Sequence, residues 1–108
     1  MYFHDMASRE AKELMDSVIA RTFWGEKMLV AVVDLLADAV VPTHDHHHEQ
    51  VGIILEGELE FTIGDQTRIL KQGDVYTIPA NVPHCARPVN GNARVMDVFS
   101  PVREEYKY

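Results

Sequence analysis

Apolar and polar residues alternate along much of the chain beyond residue 17. Residues 59–63, Leu-Glu-Phe-Thr-Ile, are the clearest case, and a period of two is typical of a strand with one face in the core and the other in water. Other segments are rich in Val, Leu, Ile and aromatic residues, which favour strands. Together the segments predict strands at residues 18–24, 28–36, 50–55, 59–63, 67–70, 75–78, 84–87 and 93–99.

Turn residues separate these segments. Gly64-Asp65-Gln66 and Gly91-Asn92 predict hairpins, and Glu56-Gly57-Glu58 predicts a turn that closes the strand before it. Pro79 ends a further strand, because proline cannot donate to a sheet. Many short strands joined by turns predict an all-β fold, either a sandwich or a barrel.

The two ends of the chain depart from this pattern. Residues 1–16 form an N-terminal extension, in which residues 8–15 read as a short helix with Ser8 as its N-cap, or as an extended segment. Residues 101–108 form a charged C-terminal tail that we expect to fray. We therefore expect one domain, with its barrel at residues 18–100.

Composition excludes several classes of protein. The chain has 108 residues, of which 46% are hydrophobic and 25% charged, as in globular domains. Its net charge of -7 disfavours nucleic-acid partners, because phosphate backbones repel an acidic surface. The single cysteine, Cys85, indicates a reducing, cytoplasmic setting. The start shows no signal-peptide pattern, and the apolar run at residues 28–33 is too short to span a membrane.

Four of the six histidines lie within residues 43–49. On a strand, His44, His46, His48 and Gln50 would share one face. Isolated surface histidines need no metal, but an interior face with three imidazoles and an amide is costly unless something satisfies them. Imidazole is the commonest ligand for late first-row metals. The cluster therefore predicts a metal site.

A separate histidine, His84, follows a strand and a turn bounded by Pro79 and Pro83. An isolated histidine is usually an ordinary hydrogen-bonded polar residue. The turn before it could nevertheless fold His84 back across the barrel onto the first cluster.

A carboxylate lies between apolar residues near the end of the last strand. Val95, Asp97 and Phe99 share one face, which should be the barrel interior. Burial would raise the pKa of Asp97, and such a group can act as a general acid or base. Arg103 could bind a ligand carboxylate through two parallel hydrogen bonds. A structural ion pair between Asp97 and Arg103 is an equally open interpretation.

These residues resemble the two motifs of the cupin superfamily. In the first motif, His44 and His46 fit, Gln50 stands where a glutamate is usual, and Gly57 follows at the right distance. The second motif matches at one glycine, one proline and one histidine and departs at two positions. It contains Gly73, Pro79 and His84, with Asn81 in place of a usual glycine and Pro88 in place of a usual asparagine.

The resemblance, which spans residues 43–88, implies a one-barrel cupin of jelly-roll type. It also implies one divalent metal ion held by four side chains, those of His44, His46, Gln50 and His84. Zinc, nickel, iron, manganese and copper all suit this set. His48 would lie in the next shell or at the rim. A neutral Gln50 leaves the ion more of its positive charge, which favours Lewis-acid chemistry and an anionic substrate over oxygen chemistry.

Asp97, Phe99 and Arg103, taken with this ligand set, look like the KdgF family of small cupins. The family converts 4,5-unsaturated uronate monomers into a linear keto form in pectin and alginate breakdown. The resemblance implies that the three residues line the pocket beside the metal. Two alternatives stay open: another cupin metalloenzyme, either a dioxygenase or an isomerase, and a non-enzymatic module that binds a metal or a sugar.

Small cupins commonly form homodimers, and the chain resembles them in size. Exposed strand edges give a physical reason for pairing. We expect a homodimer in which the N-terminal strand is a candidate for exchange.

Overall fold

The computed structural model describes residues 2–108, most of which lie in β-strands. The strands are β1 (Lys12–Met15), β2 (Val18–Trp24), β3 (Leu29–Leu35), β4 (Val41–His44), β5 (Glu49–Ile63), β6 (Gln66–Lys71), β7 (Val75–Ile78) and β8 (His84–Ser100). One turn of 3-10 helix follows at Glu104–Tyr106. The expected all-β fold is confirmed. Within residues 2–108, no helix is long and apolar enough to cross a membrane.

β5 and β8 are the central strands of the sheet. They pair antiparallel over most of their length, from Glu49 opposite Ser100 to Ile63 opposite His84. The order of strands is β1-β2-β3-β8-β5-β6, with β4 added to β8 and β7 added to β5. Buried positions alternate with more exposed ones along β2 and β3, so one face of the curved sheet encloses the core. The largest fully buried side chains are Leu29, Ile54, Leu59, Ile78 and Thr22.

The predicted turn at residues 56–58 is wrong, because β5 runs through it without interruption. Its register against β8 shifts on both sides of Glu56, which marks a bulge. Gly57 has a φ of 78°, and a Cβ atom there would collide with the β8 backbone at Asn92 and Ala93. Glycine is therefore needed where the two central strands bend together.

The predicted hairpin at Gly91-Asn92 is also wrong, because β8 is continuous. Asn90 and Gly91 have φ values of 61° and 121° and lie beside the bulge of β5. The same residue types serve hairpin turns and bulges, and the pairing partner decides between them. Here β5 pairs with both halves of β8, so each long strand bends instead of reversing.

The short N-terminal helix is not formed, and the extended alternative is correct. Residues 12–15 form β1, in which Lys12 lies opposite Ala20 of β2, and Leu14 packs on the core. A helix of about eight residues is marginal by itself in water, whereas strand pairing adds backbone hydrogen bonds and burial. β1 pairs here with β2 of its own chain.

The C-terminal tail does not fray as expected; it packs against the sheet. Val102 is buried, and Tyr106 packs against the core. The Thr22 hydroxyl donates to the Tyr106 carbonyl at 2.6 Å, and the Tyr108 hydroxyl donates to the Ala20 carbonyl at 2.6 Å. These bonds hold the tail over one end of the core and bring Arg103 to the site described next.

Candidate metal centre and ligand pocket

Three histidines from distant parts of the sequence converge at one end of the barrel. His44 ends β4 and His84 begins β8, and the two are directly paired across these strands. His46 follows β4 in the loop before β5. One ring nitrogen from each histidine lies within 4.8 Å of the other two. The geometry of this group suits a metal ion.

Backbone carbonyls orient all three rings in the same way. The Nδ1 atoms of His44, His46 and His84 donate to the carbonyl oxygens of Pro42, His48 and Val82 at 2.8, 3.0 and 2.9 Å. A carbonyl oxygen can only accept, so the ring proton of each neutral histidine is on Nδ1. Each Nε2 atom then keeps a free lone pair, which is the arrangement of metal-binding histidines.

Burial keeps two of the rings neutral. Desolvation lowers the pKa of His84 from 6.5 to about 4, and it also lowers the pKa of His46. The positive charge of Arg103 contributes in the same direction at both rings. The Nε2 atom of His84 is fully buried and has no hydrogen-bond partner among residues 2–108. A buried nitrogen without a partner costs free energy, and a metal ion would satisfy it.

Gln50 joins this group from the start of β5. Its Oε1 atom lies 3.1 Å from Nε2 of His46. Its amide also lowers the pKa of Asp97, so the amide nitrogen is on the side of Asp97 and the oxygen is on the side of His46. Oε1 and Nε2 therefore present lone pairs to the same point. This donor set fits a divalent cation held by His44, His46, Gln50 and His84.

The loop before β8 carries one departure from the usual cupin motif. Asn81 has a φ of 65°, a left-handed conformation that asparagine tolerates better than most residues. Its backbone N–H donates to the carbonyl of His46 at 2.8 Å. The asparagine therefore preserves the turn and ties it to one of the three histidines.

Asp97 projects from β8 into the interior beside Gln50. The side chain is buried, and desolvation raises its pKa from 3.8 to about 6. Hydrogen bonds from Tyr76 and Gln50 and the charge of Arg103 act in the opposite direction but do not cancel the effect of burial. A carboxyl group with a pKa near neutrality can both accept and release a proton under physiological conditions.

Phe99 and Arg103 lie on the tail side of the pocket. The guanidinium of Arg103 stacks over the rings of Tyr106 and Phe99, at 4.0 and 5.1 Å from their centroids. Its Nε atom donates to Glu105 at 2.7 Å, so the ion pair of Arg103 is with Glu105 and not with Asp97. The Phe99 ring also contacts His46, with 5.6 Å between centroids.

One cavity of about 210 Å³ connects these groups. Six of the seven predicted site residues line it, namely His44, Gln50, His84, Asp97, Phe99 and Arg103. His46 is not part of the lining but contacts Gln50, His84 and Phe99. Most of the residues that line the cavity are apolar, and the predicted site residues supply most of its polar groups.

The sequence pattern missed several residues of this site. Gly52 lies against the side chains of Tyr76 and Asp97, and the only local sign of it is a glycine inside a strand. Tyr106 packs on Arg103, although its segment reads as a solvated tail. His48, in contrast, is expected in the next shell or at the rim; it is buried, its carbonyl orients His46, and its own Nδ1 has no partner among the described residues.

Comparison with known protein families agrees with this geometry. The family profile described as Cupin domain matches residues 31–99. The chain belongs to the cupin family. The likeness of this cupin to solved structures confirms the expected RmlC-like barrel. An RmlC-like cupin from Shewanella frigidimarina superposes with a TM-score of 0.92 at 22% identity, covering 98% of this chain and 96% of that one.

The cupin is also similar to two KdgF proteins. It is 28% identical over 97 residues to the pectin degradation protein KdgF of Dickeya dadantii (strain 3937), with 88% of both chains covered. KdgF from Halomonas sp. superposes with a TM-score of 0.90 at 23% identity, covering 95% of this cupin and 97% of that chain. The resemblance to KdgF expected from the sequence is confirmed.

Proposed function

We propose that this cupin is a metal-dependent enzyme that converts 4,5-unsaturated uronate monomers into their linear keto form. The observation that carries the proposal is the meeting of three groups in one small cavity: a metal-ligand set, a buried carboxyl with a pKa of about 6, and an arginine. Similarity to a protein named for pectin degradation, over 88% of both chains, supports the same substrate class.

The proposed reaction is an isomerisation that needs no oxidant or reductant. The bond between the anomeric carbon and the ring oxygen breaks as the anomeric hydroxyl loses its proton, which leaves an aldehyde and an enolate that becomes the ketone when its carbon is protonated. One proton moves from the anomeric hydroxyl to the vinylic carbon that does not bear the carboxylate. Asp97 is the group placed to accept and return this proton.

The other residues bind and orient the substrate. Arg103 offers both of its terminal nitrogens to the uronate carboxylate, because only its Nε is engaged by Glu105. Phe99 presents a ring face to the sugar. A divalent ion held by His44, His46, Gln50 and His84 would supply Lewis-acid polarisation of a substrate oxygen.

The test is an ultraviolet assay with unsaturated galacturonate and guluronate monomers. We expect metal-loaded protein to remove the C=C absorbance faster than the spontaneous rate, and both chelator-stripped protein and Asp97→Asn to lose this acceleration. Asp65→Asn, the same change at the exposed tip of the β5–β6 hairpin, is the matched control and should keep it. No acceleration with any divalent metal would exclude this substrate class. Oxygen uptake would then indicate an oxygenase, and tight ligand binding without turnover a binding module.

A further inference from the structure

Three residues on adjacent strands lie at one level of the barrel. Gly52 of β5 is in register with Tyr76 of β7 on one side and with Asp97 of β8 on the other. Tyr76 and Asp97 are therefore two strands apart, which places their backbones about 9–10 Å from each other. Their side chains can meet only by crossing over the strand between them.

Gly52 makes this crossing possible. A Cβ atom at position 52 would collide with the ring carbon and hydroxyl of Tyr76 and with the carboxylate of Asp97. Any side chain larger than hydrogen at position 52 would therefore displace either the Tyr76 hydroxyl or the Asp97 carboxylate. A glycine in the interior of a strand otherwise weakens it, which makes a close approach the physical reason for its presence.

Tyr76 is held firmly enough to act as a fixed donor. The residue is buried, and its ring packs on Phe61 with 4.5 Å between centroids. Its hydroxyl donates to Oδ1 of Asp97. Burial raises the pKa of the phenol well above its ordinary value of 10, so the hydroxyl keeps its proton.

We infer that Gly52 and Tyr76 are positioning residues for Asp97: Gly52 leaves the space in which the Tyr76 hydroxyl holds one carboxylate oxygen and fixes the carboxylate toward Gln50 and the cavity. The inference rests on the proposed role of Asp97. It extends the site by two residues. The resulting chain of contacts runs from Tyr76 through Asp97 and Gln50 to His46.

The kinetic test compares single and double variants of the metal-loaded protein. Tyr76→Phe should lower kcat by on the order of tenfold to a hundredfold, as misplacement of a catalytic group does, with little change in KM or metal content. In an Asp97→Glu background, where a carboxyl group is present but already displaced, Tyr76→Phe should cause no further loss, because it acts through the placement of the Asp97 carboxylate. Tyr2→Phe removes the same hydroxyl from a side chain that is 93% exposed, and it should leave kcat unchanged. Additive losses in the double variant would overturn the inference.

A structural test does not depend on turnover and separates this inference from the proposed function. Crystal structures of Tyr76→Phe and Gly52→Ala should show the Asp97 carboxylate rotated from its wild-type orientation, with the fold retained in Tyr76→Phe. An unchanged carboxylate in Tyr76→Phe would overturn the positioning role even if the uronate assay succeeds. A rotated carboxylate would support it even if the natural substrate proves different.

Discussion

The Nε2 atom of His46 and the Oε1 atom of Gln50 face each other at 3.1 Å, and the hydrogen bond from Nδ1 of His46 to the His48 carbonyl leaves Nε2 with a free lone pair. Two acceptor atoms at this distance repel each other unless both coordinate the same cation. The pair therefore links a neutral amide to the proposed metal site, where a carboxylate is the more usual partner. This neutrality has measurable consequences.

Replacing Gln50 by glutamate should strengthen metal binding but impair catalysis. The added negative charge favours a cation, but it also lies beside Asp97 and removes the amide that donates to it. We expect slower metal release to a competing chelator and a fall in kcat/KM on the order of tenfold. Gln66→Glu makes the same change at an exposed position and should alter neither quantity. Full activity in Gln50→Glu would show that the neutral amide has no catalytic importance.

His84 and His47 offer a matched pair for testing the metal site. His84→Ala removes a buried nitrogen of the convergent group, so metal affinity should fall by more than the roughly 10- to 100-fold that loss of an outer-shell partner costs. His47 is exposed and lies outside this group, so His47→Ala should bind metal normally. Metal content after desalting measures the difference, and the rise in Tm with added metal checks it independently. Equal metal content in the two variants would contradict the assignment of His84.

Asp97 should make the stability of the metal-free protein depend on pH. Its pKa of about 6 in the folded state lies above the ordinary 3.8. At pH values between the two, the folded protein therefore binds a proton that the unfolded protein has released. The free energy of unfolding should therefore fall as pH rises through this window, by about 3 kcal/mol in total. Asp97→Asn lacks this contribution. Urea titrations at pH 4.5 and 7.5 should therefore show a larger fall in the free energy of unfolding for the wild type than for Asp97→Asn. Parallel pH dependence in the two proteins would show that the Asp97 pKa is not raised.

Arg103 should act mainly through substrate binding. Lysine at this position would lose the planar guanidinium that stacks on Phe99 and Tyr106 and offers two parallel donors. We expect Arg103→Lys to raise KM on the order of tenfold, equivalent to about 1.4 kcal/mol, with kcat nearly unchanged. Arg87→Lys, at an exposed arginine paired with Glu60, is the control for steady-state kinetics. A fall in kcat at constant KM would instead place Arg103 in the chemical step.

Much of the fold could be predicted because strand patterning and turn chemistry are local. β2 and β7 have the predicted bounds, and the hairpin at residues 64–65 forms. The errors fall where pairing partners override local preference. Residues 56–58 and 91–92 carry turn residues, but they lie opposite each other in two paired strands and form a bend. Residues 12–15 could have been helical, but they pair with the edge of β2 and form a strand.

The side chains available to the site can be identified from local sequence patterns. The spacing of His44, His46 and Gln50 and the face shared by Asp97 and Phe99 follow from short stretches of chain, where geometry depends only on neighbours. Which of these atoms meet depends on how the strands pair. His84 joins His44 because β4 pairs with β8, and Tyr76 reaches Asp97 because β7, β5 and β8 are adjacent in register with Gly52 between them. Strand order and register depend on contacts between residues far apart in the chain, and no local pattern contains that information.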